Sequence, residues 1–350
     1  MIRIKAEDLF QFSLEALKHV GVKEKDAAIV AENLVLANLR GIDSHGVARL
    51  PVYIRRVKEG LIDPSAPIKV VKDQGSVALI DAHNNFGQVA AMKAAFLAAE
   101  KAKKLGVGVV AVKNSNHFGM AAHYVMKLTE QKLIGIVLSN GPPAIAPWGG
   151  INPMFGTNPI CIGFPMGGNE ESIILDMAVS VVARGKIRLA ALKGERIPEG
   201  WALDEEGNPT TDPKAALKGS LVPIGGPKGY GLALSVDILC GLLIGSNFGW
   251  KIKELNDFSG PSGTGAFIEA INIEFFRPYH EYKDAILEYV KEIKSCPRKR
   301  GISEIFLPGE IEMIEALQRN RLGIPLDDEV LIALKNIAKE LQISFLLPKI

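Results

Sequence analysis

The chain has 350 residues, 47% hydrophobic and 23% charged, with a formal net charge of +2. That balance argues against nucleic acid or an anionic membrane surface as a partner, and the length allows two or three domains with a sizeable core. Three widely separated cysteines, Cys161, Cys240 and Cys296, make neither a disulfide framework nor a metal-binding CxxC. The opening residues lack the pattern of a secretory signal. The most apolar helical stretch, 231–244, carries Asp237 and is short for a bilayer span, so a reducing, cytoplasmic setting is expected.

Residues 5–20 carry Leu9, Phe10, Phe12, Leu14, Leu17 and Val20 in an apolar stripe that predicts a helix. Residues 24–39 repeat the pattern with Ala27, Val30, Ala31, Leu34 and Asn38, and Gly41 is a helix stop. A third helix is predicted over 52–59. After the break at Pro64 and Pro67, residues 68–72 and 77–81 read as strands about a turn at 73–75. An alanine-rich helix over 88–105 is stopped by Gly106. The apolar run 107–113 then reads as a strand covered on both faces. The polar stretch 114–119 leads into a helix to about 132, and 133–138 form another buried strand ending at Ser139. Strands are predicted at 160–164, 172–175 and 266–275, and helices at 180–192, from Lys228 to about 244, at 279–293 and at 327–341, with a turn-rich excursion over 200–213. Strands and helices alternate irregularly, so the class is mixed α/β with a helical N-terminal region.

Polar chemistry concentrates at 43–53. Asp43, Ser44, His45 and Arg49 lie within seven residues, and Tyr53 is four beyond Arg49. If 45–53 are helical, His45, Arg49 and Tyr53 share one side, although Pro51 interrupts a continuous helix. The plainer alternative is a capped helix start in which Arg49 pairs with Asp43 or Glu59 on a solvated face. His117 follows a strand and is expected at a helix N-terminus, which disfavours the imidazolium. Lys228 sits among glycines at a helix start, where backbone N–H groups and an ammonium suit a phosphate. Asp176, at a strand end, suits a ribose or an amide. The dinucleotide fingerprint has one match, at Gly106, Gly108 and Ala111, but it falls inside a strand and is a decoy. No phosphate loop, zinc spacing or nucleophile elbow is present, so no metal is expected.

Taken in order, these motifs resemble the second family of malate/L-lactate dehydrogenases, which use NAD(P) without a Rossmann fold. The resemblance is carried by DSHGVARLPVY at 43–53, NSNHFG at 114–119, GTNP at 156–159, LDMAVS at 175–180, ARGKI at 183–187, GWALDEEGNPTTDP at 200–213, GGPKGYGLAL at 225–234 and LPGE at 307–310. It implies an α/β fold of the L-sulfolactate dehydrogenase kind, a mixed-sheet, non-Rossmann NAD(P)-binding domain plus the helical N-terminal region. The division it implies is 1–66, then 67–116 with 304–350 as scaffold and dimerisation region, then 117–303 as the NAD(P)-binding domain. It further implies a homodimer or a dimer of dimers. By the same resemblance His45 or His117 is the acid/base, and Arg49, Ser44, Tyr53 and Thr157 meet the substrate. Ser139, Asp176, Met177, Ala178, Lys228, Gly229, Pro308, Gly309 and Glu310 meet NAD or NADP. The stretch 296–301 is more basic than the family's usual sequence there, which bears on the last cofactor contacts.

The expected reaction is hydride transfer between a nicotinamide and C2 of a small 2-hydroxy or 2-oxo acid, malate/oxaloacetate before lactate or sulfolactate. An imidazole exchanges the proton, His117 ahead of His45 for its rigid strand-to-helix position, and Arg49 clamps the carboxylate. Two alternatives are a cyclic imino acid reductase, in which nitrogen takes the proton, and a dinucleotide-binding regulator without turnover.

Overall fold

The computed structural model describes residues 2–167 and 172–345. The N-terminal region is β1 (Ile2–Ile4), α1 (Ala6–His19), α2 (Glu24–Leu39) and α3 (Leu50–Lys58). It packs with the C-terminal β12 (Ile324–Leu326) and α11 (Asp328–Leu341) around Leu9, Leu17, Val30, Leu34, Leu50, Ile54 and Leu334. Two 3-10 turns, Asp43–His45 and Val47–Arg49, separate α2 from α3, so 45–53 is not one helix. Gly46 between the turns is extended (φ −83°, ψ −157°), and Pro51 sits in the first turn of α3, where its missing N–H costs nothing.

The centre is a seven-stranded sheet. Its strands are β2 (Lys69–Gln74), β3 (Val77–Asp81), β4 (Val107–Ser115), β5 (Leu133–Ser139), β6 (Ile160–Phe164), β7 (Ile173–Met177) and, after the short β8 (Ala202–Leu203), β9 (Pro209–Thr210) and β10 (Ser220–Leu221), β11 (Thr264–Asn272). The order is β2-β3-β4-β11-β5-β6-β7, and only β3–β4 is parallel. Strand β11 pairs with both β4 and β5, so hydrogen bonding runs unbroken from 69–115 into 133–177. The alanine face of α4 (Gly87–Leu105) and α5 (Ala122–Thr129) cover one face, packing on Val110, Val112, Val137 and Ile268. Helix α8 (Pro227–Asp237) and the π-helical turn Ile238–Leu242 meet the other face through Val236, Cys240 and Leu138. Gly108 permits the close approach of α4, since a Cβ there would lie 2.1 Å from the Ala98 carbonyl oxygen. Its place is therefore a packing contact inside β4, as the decoy reading requires.

Several boundaries depart from the sequence pattern. The predicted helix 180–192 is α6 (Arg184–Lys193), because Val181 N–H is donated to Val222 and Ser180 bridges Pro223, holding that segment extended. The strand predicted to 275 ends at Asn272, whose side chain accepts the Glu274 N–H and opens a 3-10 turn. Helix α7 (Pro213–Lys218) grows out of the turn-rich excursion, with the Asp212 carboxylate accepting the Lys214 N–H as its cap. After α9 (Tyr279–Ser295) come α10 (Glu310–Leu322), β12 (Ile324–Leu326) and α11 (Asp328–Leu341), and β12 pairs with β1. Among the described residues no helix is long and apolar enough to cross a membrane, and no group of three or more His, Cys, Asp or Glu forms a metal site.

Candidate active site

The C-terminal ends of β4, β5 and β7 and the starts of β6 and β11 share one edge of the sheet: Ser115 is opposite Thr264, Ser139 opposite Ala266, and Met177 opposite Ile160. Each strand hands its polar motif to the same end, and a cavity of about 420 Å³ opens there. It is closed on the far side by the 3-10 turns after α2, by the start of α6 and by the loop 253–256. Ser44, His45, Arg49, His117, Ser139, Thr157, Asp176, Met177 and Ala178 all line it.

The turns that carry His45 and Arg49 are fixed from behind by Asn38. Its side-chain Oδ1 accepts the Val47 N–H at 2.8 Å, and its Nδ2 donates to Asp43 at 2.6 Å. Gly46 is required beside it, because a Cβ there would lie 2.2 Å from Asn38 Oδ1. Asp43 also accepts from Arg319 at 2.7 Å, and Glu59 pairs with Arg55, so neither acid serves Arg49. Arg49 donates Nε to the Ser44 carbonyl at 2.7 Å and forms no ion pair among the described residues. Its two terminal nitrogens are left for a ligand.

His117 lies in the loop between β4 and α5. Helix α5 begins only at Ala122, so the expected helix N-terminus does not act on the ring. Asn33 of α2 holds this loop instead, accepting the Met120 N–H at 3.1 Å and donating to the Met120 carbonyl at 3.2 Å. The Tyr53 hydroxyl is 2.7 Å from His117 Nδ1, and the Gly119 N–H donates to the same nitrogen at 3.3 Å. A backbone N–H can only donate, so Nδ1 carries the lone pair and the neutral ring bears its proton on Nε2. Burial, with the neighbouring His45 and Arg49 charges, holds His117 well below the usual imidazole range. The His45 and His117 rings stack with centroids 5.5 Å apart, and Ser44 Oγ is 3.0 Å from His45 Nδ1. Burial and Arg49 push His45 down to about 4. Tyr53 is 1% exposed and lies behind His117 rather than on the cavity wall, its phenol pushed upward by burial.

On the opposite wall, burial raises Asp176 to about 6, against the opposing pull of the Ala122 N–H that one oxygen accepts at 2.9 Å. The Ser139 hydroxyl donates into the sheet, to the Gly265 carbonyl at 2.9 Å. Asn140 is spent on Asn247, Asp237 and Gly265. Pro142, Pro143, Met177 and Ala178 supply flat apolar surface between these polar groups. Lys228 is exposed on the first turn of α8 with Gly229 buried beside it, and neither lines the cavity. Pro308 and Gly309 run along β7, where the Pro308 carbonyl accepts the Ile174 N–H at 2.9 Å, and Glu310 accepts from Lys294 at 2.6 Å.

Four charged cavity residues carry no assigned role in the sequence reading: Arg184, Arg188, Lys253 and Glu254. Two arginines four apart at a helix start are a visible signal, but the helix was predicted to begin four residues earlier, which blurs the end they mark. Asn33, Asn38 and Arg319 also go unmarked in the sequence: Asn38 falls into the apolar stripe of its helix as though it were a core position, and the partners of Asn33 and Arg319 lie far along the chain.

The Malate/L-lactate dehydrogenase family matches residues 4–335. The chain is 41% identical to malate dehydrogenase of Pyrococcus abyssi, covering 98% of this chain and 96% of that one. It is 43% identical to malate/(S)-sulfolactate dehydrogenase of Methanothermus fervidus, covering 97% and 98%. The solved sulfolactate dehydrogenase from Methanocaldococcus jannaschii superposes with a TM-score of 0.92 at 43% identity, covering 98% of each chain. Further matches name their cofactor or a different substrate. They are (2R)-3-sulfolactate dehydrogenase (NADP(+)) of Chromohalobacter salexigens, 40% identical over 88% of this chain and 90% of that one, and ureidoglycolate dehydrogenase (NAD(+)) of Escherichia coli, 33% identical over 94% of each. The δ1-piperideine-2-carboxylate reductase from Pseudomonas syringae has a TM-score of 0.86 at 29% identity, covering 97% and 100%.

Proposed function

The chain belongs to the malate/L-lactate dehydrogenase family, and on that premise we propose that it interconverts malate and oxaloacetate, or sulfolactate and sulfopyruvate, with NAD or NADP. The observation that carries this reading is the convergence of His45, His117 and Arg49 with Ser139, Asp176, Met177 and Ala178 on one cavity. A dinucleotide-binding regulator has no use for two histidines and an unpaired guanidinium at one spot.

The apolar walls Pro142, Pro143 and Met177 and the carboxyl of Asp176 suit the ring and the polar groups of a nicotinamide nucleotide. When bound, the nicotinamide supplies or takes up the hydride exchanged with C2 of the substrate. Arg49 clamps the 2-carboxylate with its two terminal nitrogens, which fixes the plane of the reacting carbonyl. His117, with its proton on Nε2, donates a hydrogen bond to the carbonyl oxygen and stabilises the charge that develops there. A ring that already holds Nε2–H is no base toward an alcohol, so His45 exchanges the proton. In reduction its imidazolium protonates the oxygen, and in oxidation its neutral ring removes the hydroxyl proton. The Ser44 hydroxyl both donates and accepts, so it serves His45 in either state. A carboxylate on Arg49 cancels part of the positive charge that depresses His45, making the ring more basic once substrate is bound.

In this reading the chain works as a homodimer. The support is a set of exposed apolar side chains, Leu232 on α8, Ile238 and Leu242 on its π-helical turn and Leu243 just after it, and light scattering on the purified protein checks it. A second reading, reduction of a cyclic imino acid, has the piperideine-carboxylate reductase likeness behind it. A turnover panel of oxaloacetate, sulfopyruvate, pyruvate and a cyclic imine, each with NADH and NADPH, separates them. The first two should be the best substrates. Turnover of the imine alone, or of none, overturns the assignment.

A further inference from the structure

We propose that Arg184, Arg188 and Lys253 form a second anion subsite, which takes the acid group on C3 of the substrate, a carboxylate or a sulfonate. The inference rests on the 2-oxo acid reading above. Arg184 and Arg188 stand four apart on the first turns of α6, so they share a side, and both line the cavity that holds His45, Arg49 and His117. Lys253 and Glu254 line it from the facing loop.

Two guanidinium groups therefore meet one acid, and that acid is loosely engaged. Glu254 lies 3.7 Å from Arg184 Nη1 and 3.6 Å from Arg188 Nη2, beyond hydrogen-bond length for both. Arg184 is anchored by Nη2, which donates to the Leu217 carbonyl at 2.7 Å, and Lys253 donates to Ser259 at 2.6 Å. Among the described residues Arg188 has no such anchor, and its side chain is 46% exposed.

The facing loop is built rather than slack. Arg56 of α3 is fully buried and donates to the carbonyls of Leu255, Asp257 and Gly260 at 2.9–3.2 Å, while Arg55 stacks on Phe258 with its guanidinium carbon 3.7 Å from the ring centroid. That fastening fixes the position of Lys253 and Glu254 relative to Arg49, which leads into the same helix.

The physical reason for such a subsite is desolvation. A substrate with two acid groups brings two charges into a cavity walled by prolines and Met177, and Arg49 compensates only one. The other must find a cation or keep its water, and guanidinium groups match carboxylate and sulfonate oxygens well. A methyl group in the same place gains nothing from Arg188. The same cations would also receive a phosphate of the dinucleotide, so the test must distinguish the two sources.

The experiment compares the native enzyme with Arg188→Ala and Arg188→Lys. Steady-state kinetics gives the ratio of kcat/KM for oxaloacetate to that for pyruvate, and a fluorescence titration gives the Kd for NADH. The ratio should fall by about tenfold or more in Arg188→Ala and by less in Arg188→Lys, with the NADH Kd changed by less than about twofold. An unchanged ratio overturns the subsite. A tenfold weaker NADH Kd with the ratio intact also overturns it and moves the three cations to a cofactor phosphate. A native enzyme that turns over no 2-oxo acid sinks the functional reading itself, and the subsite with it.

Discussion

The division of labour between the two histidines turns on a single nitrogen. Nδ1 of His117 accepts from the Gly119 N–H and faces the Tyr53 hydroxyl, so its ring presents a proton to the cavity and cannot readily take one up. A glutamine side chain places an N–H close to where Nε2–H stands. His117→Gln should therefore keep much of the activity, losing about tenfold in kcat. His45→Gln should lose ~10²–10⁴-fold, the usual cost of a missing acid/base. Measured kcat values in the reverse order would give the proton to His117. The pH profile supplies a second check. Burial and Arg49 hold free His45 at about 4, so at neutral pH it is the neutral base that oxidation needs. For hydroxy-acid oxidation with the dinucleotide saturating, so that the Asp176 carboxyl raised to about 6 is already engaged, kcat/KM for the hydroxy acid should stay level as the pH falls from 8 to about 5 and then drop with a midpoint near 4 as the base is protonated. A drop centred near 6.5 would mean an unperturbed imidazole.

At the level of elements, the turn region between α2 and α3 is where the site is made. Gly46→Ala would press a methyl into the Asn38 amide. The amide must move, and it loses its bonds to Val47 and Asp43. The expected cost is about 1–3 kcal/mol in a denaturant melt, with a larger proportional loss of kcat/KM than of stability. A variant as active as the parent would show that Asn38 does not hold the turns. The long periodic elements were legible in the sequence: α1, α2, α4, α9 and α11 start and stop within a few residues of their apolar patterns, and β4 and β5 follow their apolar runs. The converging motifs at 43–49, 114–119 and 175–178 were legible too, because each ends an element of the sheet or the N-terminal bundle. The short elements were not. β1 and β12 exist only through each other, and the apolar residues of α10 are spread around the helix instead of gathering on one side, so no stripe announces it. The spacing of His45, Arg49 and Tyr53 suggested one helix facing one space. In fact, Gly46 and the 3-10 turns bring His45 and Arg49 to the cavity and leave Tyr53 behind His117. That outcome depends on a contact to a helix 8 residues upstream, from Asn38 to Gly46, which no local spacing encodes.

At the scale of the whole molecule, the site stands on a sheet whose middle strand comes late in the chain. β11 lies between β4 and β5, yet begins about 125 residues after β5 ends. During translation at ~5–20 residues per second, the strands on either side must wait roughly 6–25 s with one backbone edge each unpaired. Both edges are apolar and β-branched, the kind of ribbon that recruits a neighbour's strand. A chain stopped at residue 263 should therefore collect in dimers or aggregates, while addition of residues 264–272 should release it as a dispersed protein, which sedimentation of ribosome-released fragments can follow. Monomeric, protease-resistant 1–263 would refute this. The wait also bears on where the gene tolerates change: a slowed codon run before 264 lengthens the exposure, and one after 272 does not. Demand for a holding chaperone would then be set by a stretch of message upstream of the strand, in a cell that never samples the finished enzyme's stability at all.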